Sequence, residues 1–128
     1  DCDIFVPAAM GNVITMETAP RLKAKAVVEA ANNPTTSEAE KFLHKKGVLV
    51  LPDILVNAGG VIGSYAEYKG KTIDEAFGLI DSKIRKNTEL VLDQSLQAGT
   101  IPRLIALDIA TERVANAMAQ TYSNTDRR

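Results

Sequence analysis

The fold turns on Ala26-Val27-Val28-Glu29-Ala30-Ala31-Asn32-Asn33-Pro34-Thr35-Thr36-Ser37-Glu38-Ala39 and, a helix later, Gly47-Val48-Leu49-Val50-Leu51-Pro52. Ala26 to Ala31 lacks the apolar–polar alternation of a half-exposed strand and reads as a strand covered on both faces. Asn32-Asn33-Pro34 breaks it, because Asn and Pro both favour turns. Thr35 with Glu38 three positions on has the spacing of a capping box. The helix it predicts runs through Ala39, Phe42 and Leu43 to Lys45-Lys46, whose charges suit the negative end of a helix dipole, and Gly47 closes it. Val48 to Leu51 is the next buried strand and Pro52 its end. Upstream, Ile4-Phe5-Val6-Pro7 repeats the pattern of a strand covered on both faces, and residues 17 to 24 allow a short helix at best. Strands are therefore expected at about 3–7, 26–31 and 48–51. Alternation of this kind, with short connections, implies an α/β fold built on a parallel sheet with right-handed crossovers. Ligands of such sheets bind beyond the carboxyl ends of the strands, here Pro7-Ala8-Ala9, Ala31-Asn32-Asn33 and Pro52-Asp53.

The rest of the chain reads as helical. Asn57-Ala58-Gly59-Gly60 leads into a helix from about Val61 to Tyr68, ended by Gly70. Thr72 with Glu75 is a second capping box, opening a long helix with Ile73, Phe77, Ile80, Ile84 and Val91 along one face. Gly99 ends it, Pro102 is an N1 proline, and Leu104, Leu107, Thr111, Val114 and Met118 recur at helical spacing. Ser123 to Arg128 reads as a polar, frayed tail.

The 128 residues fit one domain that buries about two-thirds of its unfolded surface. A net charge of -1 gives no electrostatic reason for a nucleic-acid or anionic-membrane partner. No apolar run approaches the roughly 20 residues of a membrane span, and Asp1-Cys2-Asp3 is no signal-peptide n-region. A single cysteine rules out an internal disulfide and a cysteine zinc cluster. His44, the one histidine, falls in the polar last turn of a helix, so no metal site is expected. Neither a Gly-x-Gly-x-x-Gly turn nor a phosphate-binding Gly-Lys-Ser/Thr loop is present, and no lysine–aspartate couple stands at a strand end. No residue is therefore assigned a catalytic role. The chain opens without Met and enters an apolar strand almost at once, which reads as part of a longer polypeptide.

Two asparagines stand where a ligand would bind. Asn32 ends a strand and Asn57 precedes Gly59-Gly60. Each carries both a donor and an acceptor, which suits a ribose hydroxyl or a carboxamide, while each also fits a plain turn. Three blocks add to this: Val28 to Ala39, Gly47 to Tyr68 (with Pro52-Asp53-Ile54-Leu55-Val56-Asn57-Ala58-Gly59-Gly60-Val61-Ile62-Gly63-Ser64-Tyr65 at its heart), and, more weakly, Asp3 to Ala9 with Asn12 to Thr15. In order and spacing they resemble the glutamate, leucine, phenylalanine and valine dehydrogenase family over about the first 70 residues.

The resemblance implies a partial Rossmann-like, doubly wound parallel sheet of three strands with a helical C-terminal half. Residues 1–70 would be the C-terminal part of an NAD(P)-binding domain and 71–128 its last helices. Pro7, Ala8 and Ala9 would lie beside the adenosine half of the cofactor, NAD or NADP. Asn32 would face the nicotinamide-side ribose, Asn57 the nicotinamide carboxamide, and Val61 and Ser64 the amino-acid side chain. A serine at position 64 leans towards glutamate, because a hydroxyl can donate to the substrate's carboxylate. The implied reaction is the reversible oxidation of L-glutamate to 2-oxoglutarate and ammonium, in a cytoplasmic homo-oligomer, a hexamer in the family. Ala30 and Asn33 depart from the family's usual glycines, Tyr68 from a commoner Trp, and Ala66 from a bulkier aromatic. The family's catalytic lysine and aspartate and its glycine-rich turn lie upstream of these blocks, so the chain alone is expected to be inactive. A leucine-, phenylalanine- or valine-type dehydrogenase, or a non-catalytic nucleotide-binding or assembly module, fits the same residues.

Overall fold

Three short strands, β1 (Ile4–Phe5), β2 (Ala26–Val28) and β3 (Leu49–Leu51), pair in parallel in the order β1-β2-β3. Ile4 and Phe5 stand beside Ala26 and Val27, and Val27 and Val28 beside Val50 and Leu51. The computed structural model describes residues 1–125, with side chains described as far as Gln120. The strands are shorter than the apolar runs. Beyond Val28 the ladder gives way, since the amides of Ala30 and Ala31 both donate to the carbonyl of Pro7. Pro7 and Pro52 themselves have no amide to continue it.

β1 corrects one expectation. Ile4 is 59% and Val6 52% exposed, so the strand is not covered on both faces. It is the edge strand, and only Phe5 packs on the core. Helix α1 (Ser37–Lys45) corrects another. Its cap is Thr36, whose hydroxyl accepts from the Ala39 amide, so the Thr35–Glu38 capping box does not form. Thr35 is held extended in a parallel bridge to Ile14, with Ile14 N–H on Pro34 O and Thr36 N–H on Ile14 O, which moves the helix start one residue on. The expected short helix at 17–24 is a 3-10 turn, Ala19–Arg21. Together α1 and this turn bury Val27, Leu43, Val50, Ala39 and Ile14 in the sheet's core.

The helical half comprises α2 (Asp53–Val56), α3 (Gly59–Tyr68), α4 (Ile73–Ala98) and α5 (Pro102–Thr125). The Thr72–Glu75 box is fully formed at the start of α4, and Gly99 ends it in the left-handed conformation at φ 60°. Pro102 is the first residue of α5, which runs past Ser123 to Thr125; the remainder of the expected frayed tail lies outside the described residues. A second, smaller core joins Leu55 of α2, Val91 of α4 and Ala106 of α5, flanked by Ile105 and Ile109. The expected apolar face of α4 is buried only at Val91; Ile73 and Phe77 are 75% and 67% exposed. On α5, Leu104, Leu107, Val114 and Met118 are exposed too, because the packed stripe is the neighbouring one, Ile105, Ala106 and Ile109.

Substitution should separate the two kinds of apolar residue. Leu43→Ala removes a fully buried side chain and should cost about 2–5 kcal/mol in urea unfolding. Phe77→Ala, at an exposed position, should stay within about 0.5 kcal/mol of the parent.

Candidate functional site

The carboxyl ends of the strands meet at one edge of the sheet. Pro7, buried, binds the backbone of Ala30 and Ala31 through its carbonyl; Ala8 and Ala9 stay exposed beside it. Across the same edge the Asn57 side chain donates through Nδ2 to Asn32 Oδ1 at 2.7 Å and to Ala30 O at 3.3 Å. The two asparagines thus form one amide pair, although 25 residues separate them. That pairing leaves Asn57 Oδ1 and Asn32 Nδ2, an acceptor and a donor, without a partner among the described residues.

The turn that carries Asn32 is held from two sides. Asn33 sits in the left-handed region at φ 45°, which asparagine is among the residues that tolerate best. Its carbonyl accepts from the Asn12 amide, and Gly11 lies so close that a β-carbon there would stand 3.1 Å from Asn32 O. On the other side the Asn33 amide donates to Asp53 Oδ2 at 2.8 Å.

Asp53 belongs to a buried ionic cluster that no motif announced. Arg103, at the start of α5, donates through Nη1 to Asp53 Oδ1, through Nε to both oxygens of Glu40, and through Nη2 to Glu29 Oε2. Glu29 Oε2 also accepts the Asp53 amide at 3.0 Å, and Glu29 Oε1 is buried without a partner among the described residues. Glu29 is fully buried, Glu40 and Asp53 nearly so. The guanidinium, planar with five fixed donors, serves all three carboxylates from one side chain. Burial pushes the Asp53 carboxyl up, but the bonds from the Asn33 amide, Arg103 and the Ile54 amide outweigh it and hold its pKa below 3.8. At Glu40 burial wins over the attraction of Arg103, with Glu29 and Asp53 adding to the rise, so its pKa lies above 4.5. Arg103 is stabilised as a cation: burial opposes its charge, but the bond to Asp53 and the charges of Glu40 and Glu29 prevail.

Val61 and Ser64 lie on the open face of α3. The other face carries Gly59 and Gly63, whose missing side chains let Ile80 and Ile84 of α4 approach, and the buried Ala66. Val61, Ser64, Tyr65 and Tyr68 are all exposed, with Lys69 Nζ over the rings of Tyr65 and Tyr68 at 5.7 and 5.6 Å. A cavity of about 690 Å³ runs along α4 between Phe77 and Glu89 and touches none of Val61, Ser64, Tyr65 and Tyr68. His44 is exposed, and no cluster of metal-ligating side chains occurs among the described residues.

A match to the Glutamate/Leucine/Phenylalanine/Valine dehydrogenase family spans residues 1–121. The chain belongs to that family. An NADP-specific glutamate dehydrogenase of Saccharolobus shibatae is 38% identical over 92% of the chain, and a glutamate dehydrogenase of Aeropyrum pernix 48% identical over 91%. In each case the chain spans 30% of the relative's length. The L-tryptophan dehydrogenase of Nostoc punctiforme superposes with a TM-score of 0.83 at 32% identity, over 93% of this chain and 36% of that one. The hetero-hexameric glutamate dehydrogenase of Thermus thermophilus, in a Leu-bound form, does so at 0.79 and 30%, over 90% and 29%. The open parallel sheet is accordingly the Rossmann-like one of these amino-acid dehydrogenases.

The Asp53 shift carries a sign. A carboxyl whose pKa is lowered by folding stabilises the fold above its unfolded value, and that stability goes as pH falls through the folded one. Thermal melts should therefore show an acid loss below about pH 4 that is weaker in Asp53→Asn. Glu40 works the other way: its raised pKa favours the fold below pH 4.5 and the benefit fades above, so Glu40→Gln should flatten that limb alone.

Proposed function

We propose that this chain is the C-terminal part of the cofactor-binding half of an NAD- or NADP-dependent glutamate dehydrogenase, with residues 1–70 completing the nucleotide-binding sheet and 71–128 its closing helices. The observation that carries the reading is the Asn32–Asn57 amide pair at the carboxyl edge of a parallel sheet. Its open donor and acceptor match the acceptor and donor of a carboxamide, and equally a ribose hydroxyl. The names of the S. shibatae and A. pernix relatives support glutamate as substrate.

In this reading Pro7, Ala8 and Ala9 flank the adenosine half of the cofactor, Asn32 binds the nicotinamide-side ribose and Asn57 the carboxamide. The nicotinamide ring, when bound, takes or gives the hydride. The chain's own residues orient it: the amide pair fixes the ring's rotation, and the left-handed Asn33 keeps Asn32 at the sheet edge. Val61 and Ser64, on the exposed face of α3, form one wall for the amino acid, with the Ser64 hydroxyl donating to the side-chain carboxylate of glutamate. The full-length protein is taken to be a cytoplasmic oligomer; the Thermus relative, a hetero-hexamer, supports assembly but not the identity of the chains. A second reading follows from the Nostoc tryptophan dehydrogenase: an open α3 face with an exposed Val61 also suits a large apolar side chain.

Ser64 separates the two. In the full-length protein, Ser64→Ala should lower kcat/KM for glutamate by about 10- to 150-fold, the worth of one hydrogen bond to a charged group. Norvaline should lose little; equal losses for both, or none, would remove Ser64 from carboxylate recognition. Asn57→Ala should raise the cofactor KM. The chain by itself should reduce neither NAD nor NADP in the presence of glutamate, measured by absorbance of the reduced nicotinamide.

A further inference from the structure

We propose that Arg103 is a positioning residue for the dinucleotide. It acts through Asp53 on the Asn33 turn and so holds the Asn32–Asn57 amide pair at its binding geometry. The proposal rests on the reading of that pair as the cofactor contact.

An unbroken run of hydrogen bonds makes the connection. Arg103 Nη1 binds Asp53 Oδ1 at 2.8 Å, and the other oxygen of the same carboxylate accepts the Asn33 amide at 2.8 Å. Asn33 is in the left-handed conformation, so its amide direction is what this bond defines, and Asn32 is its immediate neighbour. Asp53 is also the first residue of α2, whose last turn ends at Asn57. One carboxylate thus touches both segments that carry the amide pair, and Arg103 sets its orientation. Glu29 and Glu40 orient the guanidinium in turn, Glu40 through both oxygens on Nε. Glu29 follows β2 directly and its carboxylate accepts the Asp53 amide, so the strand end, the turn and α2 converge on one plane of donors.

The apolar cores lie elsewhere, around Leu43 and around Val91. Three carboxylates about one cation are a costly way to build a core, since each must be desolvated. What the cluster supplies is direction: planar donors that fix where two asparagines point.

The experiment uses the full-length protein. Arg103→Lys keeps the charge but loses the fork, because an ammonium cannot face three carboxylates in one plane. The KM for cofactor should rise by about 10- to 100-fold, with kcat and the amino-acid KM close to wild type. Asp53→Asn, nearly isosteric, must present its amide group to either Arg103 or Asn33; it should raise the cofactor KM in the same way and decides the matter should the lysine variant not fold. A purely structural Arg103 would lower the active fraction and the melting temperature while leaving the cofactor KM unchanged, and that result would overturn the proposal. Asn57→Ala calibrates it. If Asn57→Ala raises the cofactor KM while Arg103→Lys and Asp53→Asn do not, the positioning role fails alone. Should none of the three move it, the reading of the amide pair as a cofactor contact fails, and the positioning role with it.

Discussion

The guanidinium of Arg103 is the constraint on which the rest of the structure depends. The sheet and α1 build one apolar core, α2, α4 and α5 another, and a buried charged cluster, besides contacts of α5 with β3, joins them. Arg103 meets Asp53, Glu40 and Glu29 across 50, 63 and 74 residues of chain. Apolar contact has no preferred angle, whereas a planar fork on three carboxylates allows little rotation. The setting of β2's end, the Asn33 turn and α2 relative to α5 is tied to that one side chain.

Much of the fold was legible because its signals are local. Apolar runs closed by Pro7, Asn32-Asn33-Pro34 and Pro52 gave three parallel strands in order, and Thr72, Glu75 and Gly99 gave the bounds of α4. The helix start at Thr36 was missed by one residue, since the bridge that holds Thr35 extended involves Ile14, twenty-one positions away. The covering of β1 was misjudged because a continuous apolar run looks the same at the edge of a sheet as in its centre. At the site, Asn32 and Asn57 could be picked out by strand-end position and resemblance, but their bond to each other could not. Arg103 was invisible: Glu40 sits among the charges of Glu38 and Lys41, and nothing in the spacing ties Arg103, alone in the apolar stretch Ile101 to Leu107, to carboxylates 50 or more residues away. The signals that were available are Glu29, a lone charge inside an apolar run, and Asp53, the charge straight after a strand-closing proline.

The same contrast explains the exposed helix faces. Periodicity along α4 and α5 marks which residues are apolar, not which of them find a partner within this chain. Val91, Ala106 and Ile109 do; Ile73, Phe77, Leu107 and Val114 do not. The chain spans 30% of the length of its glutamate dehydrogenase relatives.

The separation of the two cores by a charged seam has a kinetic consequence. The α3–α4 hairpin packs through near neighbours in sequence and can form at once, while the seam closes only after loops of 50 to 74 residues. Joining the sheet half to the helical half through this seam takes three carboxylates out of water, a desolvation cost that protonation by acid lowers.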